Sequence, residues 1–309
     1  MRSHFATLLC TVASCVPAPG ASTRPAPALL ERPPLAAQLA SRIAQVPGAE
    51  VGLWLHDLGS GETLGLGDTL TFHAASTMKV PVMVELLRRV DAGVLDLDDR
   101  LTLTNRFASI VDGSPYALTR EDDSDVALYD RVGAPISFRE LAHRMIVRSS
   151  NLATNVLIER LGAPTITATV GQLGASGVVV RRGVEDDKAF AAGLNNVVTA
   201  RGLGRLMAAI ARGEAASAAS TAWMRQTLLA QEFNDEIPAG LPPGTPVAHK
   251  TGWITATTHD AAIIYPPGRR PIVLVVLTRA IPERDVAQRL IADLASLVWA
   301  DRVGTAGGR

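Results

Sequence analysis

An α+β fold is what this sequence predicts: an antiparallel sheet drawn from both ends of the chain, flanked by terminal helices, with an all-helical lobe inserted between. Three observations carry the prediction. Strand-like alternation is confined to an early stretch (50–57 and 62–66) and a late one (246–254, 258–266 and 271–279). Helical periodicity fills the middle. Amphipathic helices open and close the folded part, and that arrangement closes most simply as a sheet plus a helical insertion.

The first residues read as an address. Met1-Arg2-Ser3-His4 is a basic start and Phe5 to Ala13 an apolar stretch of leader length, so residues 1–22 are expected to be a signal peptide. Within them Val12-Ala13-Ser14-Cys15 resembles a bacterial lipobox, which would make Cys15 a lipid anchor; ordinary cleavage near Ala21 is the competing reading. Residues 23–34, rich in Pro and Ala, read as a linker. Both cysteines, Cys10 and Cys15, fall in the leader. The folded body, 35–303, therefore has no thiol for a disulfide, a metal or nucleophilic catalysis.

Leu35, Leu39, Ile43 and Val46 recur at helical spacing, and Gly59-Ser60-Gly61 separates the first two strands as a hairpin turn does. From Thr77 to Ala92 the pattern turns helical and stops at Gly93. Further helical patterns occupy 137–148, 151–161, 165–173, 198–212 and 217–230. Three strands and a helix over 283–300 complete the body. The α/β lobe is then 35–75 with 217–303, and the helical lobe 76–216. The stretch 111–135 stands apart: it is acidic, with Gly, Pro and two tyrosines, and reads as a solvated surface excursion, with a lid over a cleft as the alternative.

Thirty basic residues balance thirty acidic ones, which leaves no electrostatic footprint for nucleic acid. The longest apolar run of the body, Ile272 to Leu277, is too short to span a bilayer. Only three lysines occur, Lys79, Lys188 and Lys250, against 27 arginines.

Two of those lysines lie in suggestive company. In Ser76-Thr77-Met78-Lys79 a strand-to-helix transition places a hydroxyl one turn from an amine. A lysine held in a partly dry site can release its proton and take one from the serine. In His249-Lys250-Thr251-Gly252-Trp253 a cation sits inside a strand beside a glycine, which suits close approach by a ligand and equally suits a charge guarding an edge strand. A third element, Ser149-Ser150-Asn151 with Asn155 one turn on, marks the break between two helices, where Ser and Asn also serve as caps.

Together these elements resemble the serine β-lactamase and penicillin-binding protein superfamily, and the class A β-lactamases most closely, whose motifs are Ser-x-x-Lys, Ser-Asp-Asn and Lys-Thr-Gly. The resemblance runs from about Leu35 to Asp301. It implies a β-lactamase-like fold in which Ser76 is acylated, Lys79 exchanges its proton and Ser149 shuttles one to the leaving nitrogen. Asn151 would bind the substrate's amide side chain, and Lys250 and Thr251 its carboxylate. Gly252 would admit the substrate, and the N–H groups of Ser76 and Trp253 would form the oxyanion hole. It further implies a deacylating glutamate on an Ω-loop, a place filled by Glu185, 36 residues after Ser149; Asp186 and Asp187 are rivals one register away.

The departures concern the hydrolytic half. Ser150 replaces the second motif's aspartate, so its bracing must come from elsewhere. Asp186 stands where proline is usual, and a non-proline cis bond there would cost about 3 kcal/mol. Ala189 occupies the place of a water-positioning asparagine, and His259-Asp260 stand where an arginine is expected in the strand after Lys250. Six histidines show no metal-ligand spacing beyond an approach of His249 to His259 across adjacent strands. The expectation is a monomeric, cofactor-free, metal-free exported enzyme acting on a small β-lactam or a cell-wall peptide-like substrate. A D,D-peptidase or esterase-like hydrolase and a non-catalytic binder of cell-wall fragments or lactams are the alternatives.

Overall fold

The computed structural model describes Met1 and residues 33–304. The leader, both cysteines and all but the last two residues of the linker lie outside the described residues.

Five strands form one antiparallel sheet: β1 (Glu50–Asp57), β2 (Thr63–Leu66), β3 (Val247–Ile254), β4 (Thr257–Ile264) and β5 (Ile272–Arg279), in spatial order β2-β1-β5-β4-β3. The first and last parts of the chain meet where β1 pairs with β5, Trp54 opposite Val275. Alternation along the strands sorts their side chains between two cores. Leu53, Leu55, Leu274 and Val276 face α1 (Leu35–Ala44) and α9 (Arg284–Arg302). Trp54, Val273, Val275 and Leu277 face the helical lobe.

That lobe comprises α2 (Lys79–Asp91), α3 (Phe138–Val147), α4 (Asn151–Leu161), α5 (Ala163–Gln172), α6 (Asp187–Ala191) and α7 (Ala200–Arg212); α8 (Ala218–Leu229), beyond the bound at 216 expected from sequence, packs Met224 and Leu228 into the same core. Local chemistry fixes the ends: Ser137, Ser150, Thr199 and Ser217 each cap a helix by accepting a hydrogen bond from the N–H three residues on. β3, the edge strand, lies against the turn Ala75–Met78 that leads into α2. Gly252 makes this approach possible, because a Cβ there would sit 2.7 Å from the Ser76 nitrogen.

The acidic stretch is largely solvent-exposed, as its composition suggested, but it is anchored at a few points. Asp123, Asp125 and Leu128 are buried, and a hairpin pairing Phe107 with Tyr116 leads into it. Arg144 of α3 reaches back to Asp125 at 2.8 Å. The segment is built into the helical lobe beside the functional residues.

Candidate active site

Ser76 lies within a 3-10 turn, Ala75–Met78, rather than on the α-helix itself, and Lys79 is the first residue of α2. Ala75, just before the serine, has φ 43°, a left-handed conformation costly for a side-chain-bearing residue. Ser149 (φ 57°) and Glu185 (φ 57°) share that strain. Ser149 and Glu185 are candidate site residues themselves, and Ala75 adjoins Ser76.

The Lys79 amine is fully buried. It donates to Ser149 O at 2.5 Å, Ser149 Oγ at 3.1 Å and Asn151 Oδ1 at 2.8 Å. Three donors engaged is the pattern of an ammonium; loss of one proton would free a lone pair. Burial lowers its pKa to about 7 against the opposing pull of Asp123 and Glu185. Lys250 of β3 approaches from the other side, its Nζ 3.0 Å from Ser149 Oγ and 2.9 Å from Thr251 O. Burial, and then the like charge of Lys79, hold its pKa well below the ordinary lysine value. Ser149 Oγ is thus bridged by two lysines, one from each lobe.

Residues 181–196 form the Ω-shaped loop carrying Glu185. Its neck is closed by Asn196, whose Oδ1 accepts from Arg181 N (2.7 Å) and Arg182 N (3.1 Å) and whose Nδ2 donates to Arg182 O. Asn155, read from sequence as a cap, instead clamps the loop: its side chain exchanges two hydrogen bonds with Val184. Glu185 opens onto the cleft and accepts from Asn151 Nδ2 at 3.3 Å. Partial enclosure, with Asp122 and Asp187 nearby, raises its carboxyl above the usual range, although Arg182 and Lys79 oppose this. The rival Asp186 is buried and points the other way. It caps α6 through Ala189 N and takes hydrogen bonds from Ser109 Oγ (2.8 Å) and Ile110 N (2.9 Å). Asp187 is the first residue of α6. No peptide bond among the described residues is cis, so the loop turns at Glu185 without the isomer that a proline would bring. Ala189 is buried and offers no polar group.

His259 and Asp260, expected in the arginine's place, are turned inward. His259 lies 2.8 Å from His73 O, and burial lowers its pKa to about 4. Asp260 contacts His249 at 3.0 Å and accepts from Ile237 N. The two histidines therefore serve different partners and do not meet. Thr251 Oγ1 is buried with no hydrogen-bond partner. Trp253 is held by Phe233 edge-on and by the Arg284 guanidinium 3.9 Å above its ring.

A 360 Å³ cleft joins these parts; Ser76, Asn151, Glu185 and Trp253 line it, with His73 and Phe190. Sequence reasoning missed His73, which carries no motif, and Asp123. The cue for Asp123 was indirect: a carboxylate absent at 150 and an acidic segment in the same lobe.

Sheet, helical insertion, and a Ser76-x-x-Lys79 turn whose lysine shares the Ser149 hydroxyl with Lys250 define an active-serine enzyme built on two lobes. Comparison with known proteins agrees. The family model described as "Beta-lactamase enzyme family" matches residues 34–301. A β-lactamase of Rhodobacter capsulatus is 32% identical over 277 residues, covering 84% of this chain and 86% of its own. One from Streptomyces albus G is 28% identical over 268 residues, covering 85% and 82%. Among solved structures, PBP-A superposes with a TM-score of 0.75 at 28% identity, covering 88% of this chain and 96% of its own. A mutant of it, similar to the same degree, is described as an acyl-enzyme complex with penicillin G. The chain belongs to the β-lactamase enzyme family, and its neighbours place it with the class A serine enzymes.

Proposed function

We propose that the protein is an exported class A-like β-lactamase that opens the lactam amide through an acyl-enzyme on Ser76. The observation that carries this is Ser149 Oγ within 3.1 Å of Lys79 and 3.0 Å of Lys250, with Ser76, three residues before Lys79, lining the cleft.

In this reading neutral Lys79 takes the Ser76 hydroxyl proton as Oγ bonds to the lactam carbonyl carbon. The oxyanion develops toward the N–H groups of Ser76 and Trp253. The C–N bond then breaks and the nitrogen receives a proton through Ser149. Lys250 and the unsatisfied Thr251 hydroxyl receive the substrate carboxylate, and Asn151 its amide side chain. Glu185 next removes a proton from water; the water oxygen bonds to the ester carbon, and Ser76 Oγ departs with a proton. The leader read over residues 1–22 supports export, and the lipobox-like Cys15 a lipid tether.

A second reading, a D,D-peptidase or esterase-like hydrolase that deacylates lactams slowly, is favoured by one feature: Ala189 supplies no polar group to seat a water near Glu185. Turnover of a chromogenic cephalosporin tests the first reading. Cleavage of D-Ala-D-Ala peptides without lactam turnover would decide for the second.

A further inference from the structure

Asp123 comes from the acidic segment, far in sequence from any motif, yet its carboxylate reaches the second one. It is 5% exposed. Its Oδ2 accepts from Leu152 N at 2.8 Å, Tyr129 OH at 3.2 Å and Ser150 Oγ at 3.3 Å, and its Oδ1 from Asp125 N at 2.9 Å. Leu152 N is a first-turn donor of α4, and the next, Ala153 N, goes to Ser150 Oγ. The N-terminus of α4 is therefore closed by two side chains together, and a negative charge is well placed there. The strained residue Ser149 immediately precedes that cap, and Asn151 opens the helix.

The charge matters as well as the hydrogen bonds. No basic side chain among the described residues forms an ion pair with Asp123, whereas its neighbour Asp125 is bound by Arg144 and Arg148 of α3 and just beyond it. The groups facing this region are Lys79 of α2, Lys250 of β3, Glu185 of the Ω-loop, and Asp122, Asp125 and Tyr129 of the segment itself. Of the acids, Asp123 does most to keep Lys79 protonated.

We infer that Asp123 is a positioning residue for the acylation machinery, replacing from outside the motif the carboxylate that Ser150 lacks: it fixes the turn bearing Ser149 and Asn151 and supplies negative charge facing Lys79. The inference rests on the acyl-enzyme reading above for its kinetic consequence, but not for its electrostatic one.

The scarcity of lysine makes the charge measurable. Protein labelled with ¹³C at lysine Cε gives three signals, and Lys188→Arg, at an exposed site, assigns one of them. Removing the Asp123 charge disfavours the ammonium, so Asp123→Asn lowers the Lys79 titration midpoint, by about one pH unit. The same variant loosens the turn bearing Ser149 and Asn151, so at a pH above both midpoints, where Lys79 is neutral in variant and parent, it slows penicillin acylation, followed by intact mass, by about 10- to 100-fold. Moving the carboxylate back into the motif, in the Asp123→Asn/Ser150→Asp double variant, returns both readouts toward the parent, which a merely structural loss would not. An unmoved Lys79 midpoint in Asp123→Asn, or a double variant no better than the single one, overturns the inference. A parent that penicillin never acylates overturns the acyl-enzyme reading instead, and the lysine titration then judges Asp123 by itself.

Discussion

Gly252→Ala is the sharpest perturbation the structure offers. The added Cβ would lie 2.7 Å from the Ser76 nitrogen, 2.9 Å from the Thr77 nitrogen and 3.2 Å from the Ala75 Cβ. Ordinary contact begins at 3.4 Å, so strand and turn must part by about 0.7 Å, and both nearest obstacles are backbone. β3 is tied along its other side to β4, which leaves the strained turn to move. It would carry the Ser76 oxygen and N–H with it. Displacement of that size at a nucleophile and an oxyanion donor is expected to slow acylation about 10- to 100-fold, with about 1–3 kcal/mol of stability lost to overpacking. Rapid-quench mass spectrometry with penicillin measures the first and urea unfolding the second. An alanine variant acylated at the parent rate would refute the claim that β3 and the Ser76 turn work as one rigid unit.

Because Lys79 must be neutral to accept the serine proton and titrates near 7, the acylation rate should rise through that pH and level off above it; a rate already flat from pH 5 contradicts the assignment. Glu236 is buried, and desolvation followed by Asp260 raises its pKa to about 7 from 4.5. The folded state binds its proton more tightly, so stability is full below about 4.5 and declines as pH rises toward 7. Glu236→Gln should abolish that decline and gain up to about 3 kcal/mol at pH 8 in urea unfolding; unchanged slopes in both proteins count against it. Gly240→Ala would place a Cβ 1.9 Å from Ala292 O of α9. It should cost about 2–3 kcal/mol without altering the Lys79 pH profile, and a normal melting curve would contradict the packing described.

Much of this was legible in the sequence because it is written locally. Strand alternation placed 246–254, 258–266 and 271–279 within a few residues of β3, β4 and β5, and apolar spacing found every long helix. Ser76, Lys79 and Lys250 stood out through lysine scarcity, and the structure gathers both lysines around Ser149. What escaped depends on partners distant in the chain. No helix was expected at 187–191, yet Asp186 caps them into a short one. His259 and Asp260 stand where an arginine is expected, but β4 is covered on both faces, so their polar atoms found partners inside. Composition alone made 111–135 a solvated loop; Asp123 and Asp125 are buried there because an arginine pair and a helix N-terminus await them, and no local pattern announces either.

The central claim is that Ser76 becomes acylated and Glu185 releases the acyl group. Intact-mass spectrometry of parent, Ser76→Ala and Glu185→Gln after penicillin exposure tests it most directly. A short-lived adduct is expected in the parent, none in Ser76→Ala and a long-lived one in Glu185→Gln. Labelling that survives in Ser76→Ala, or release equally fast in parent and Glu185→Gln, would contradict it.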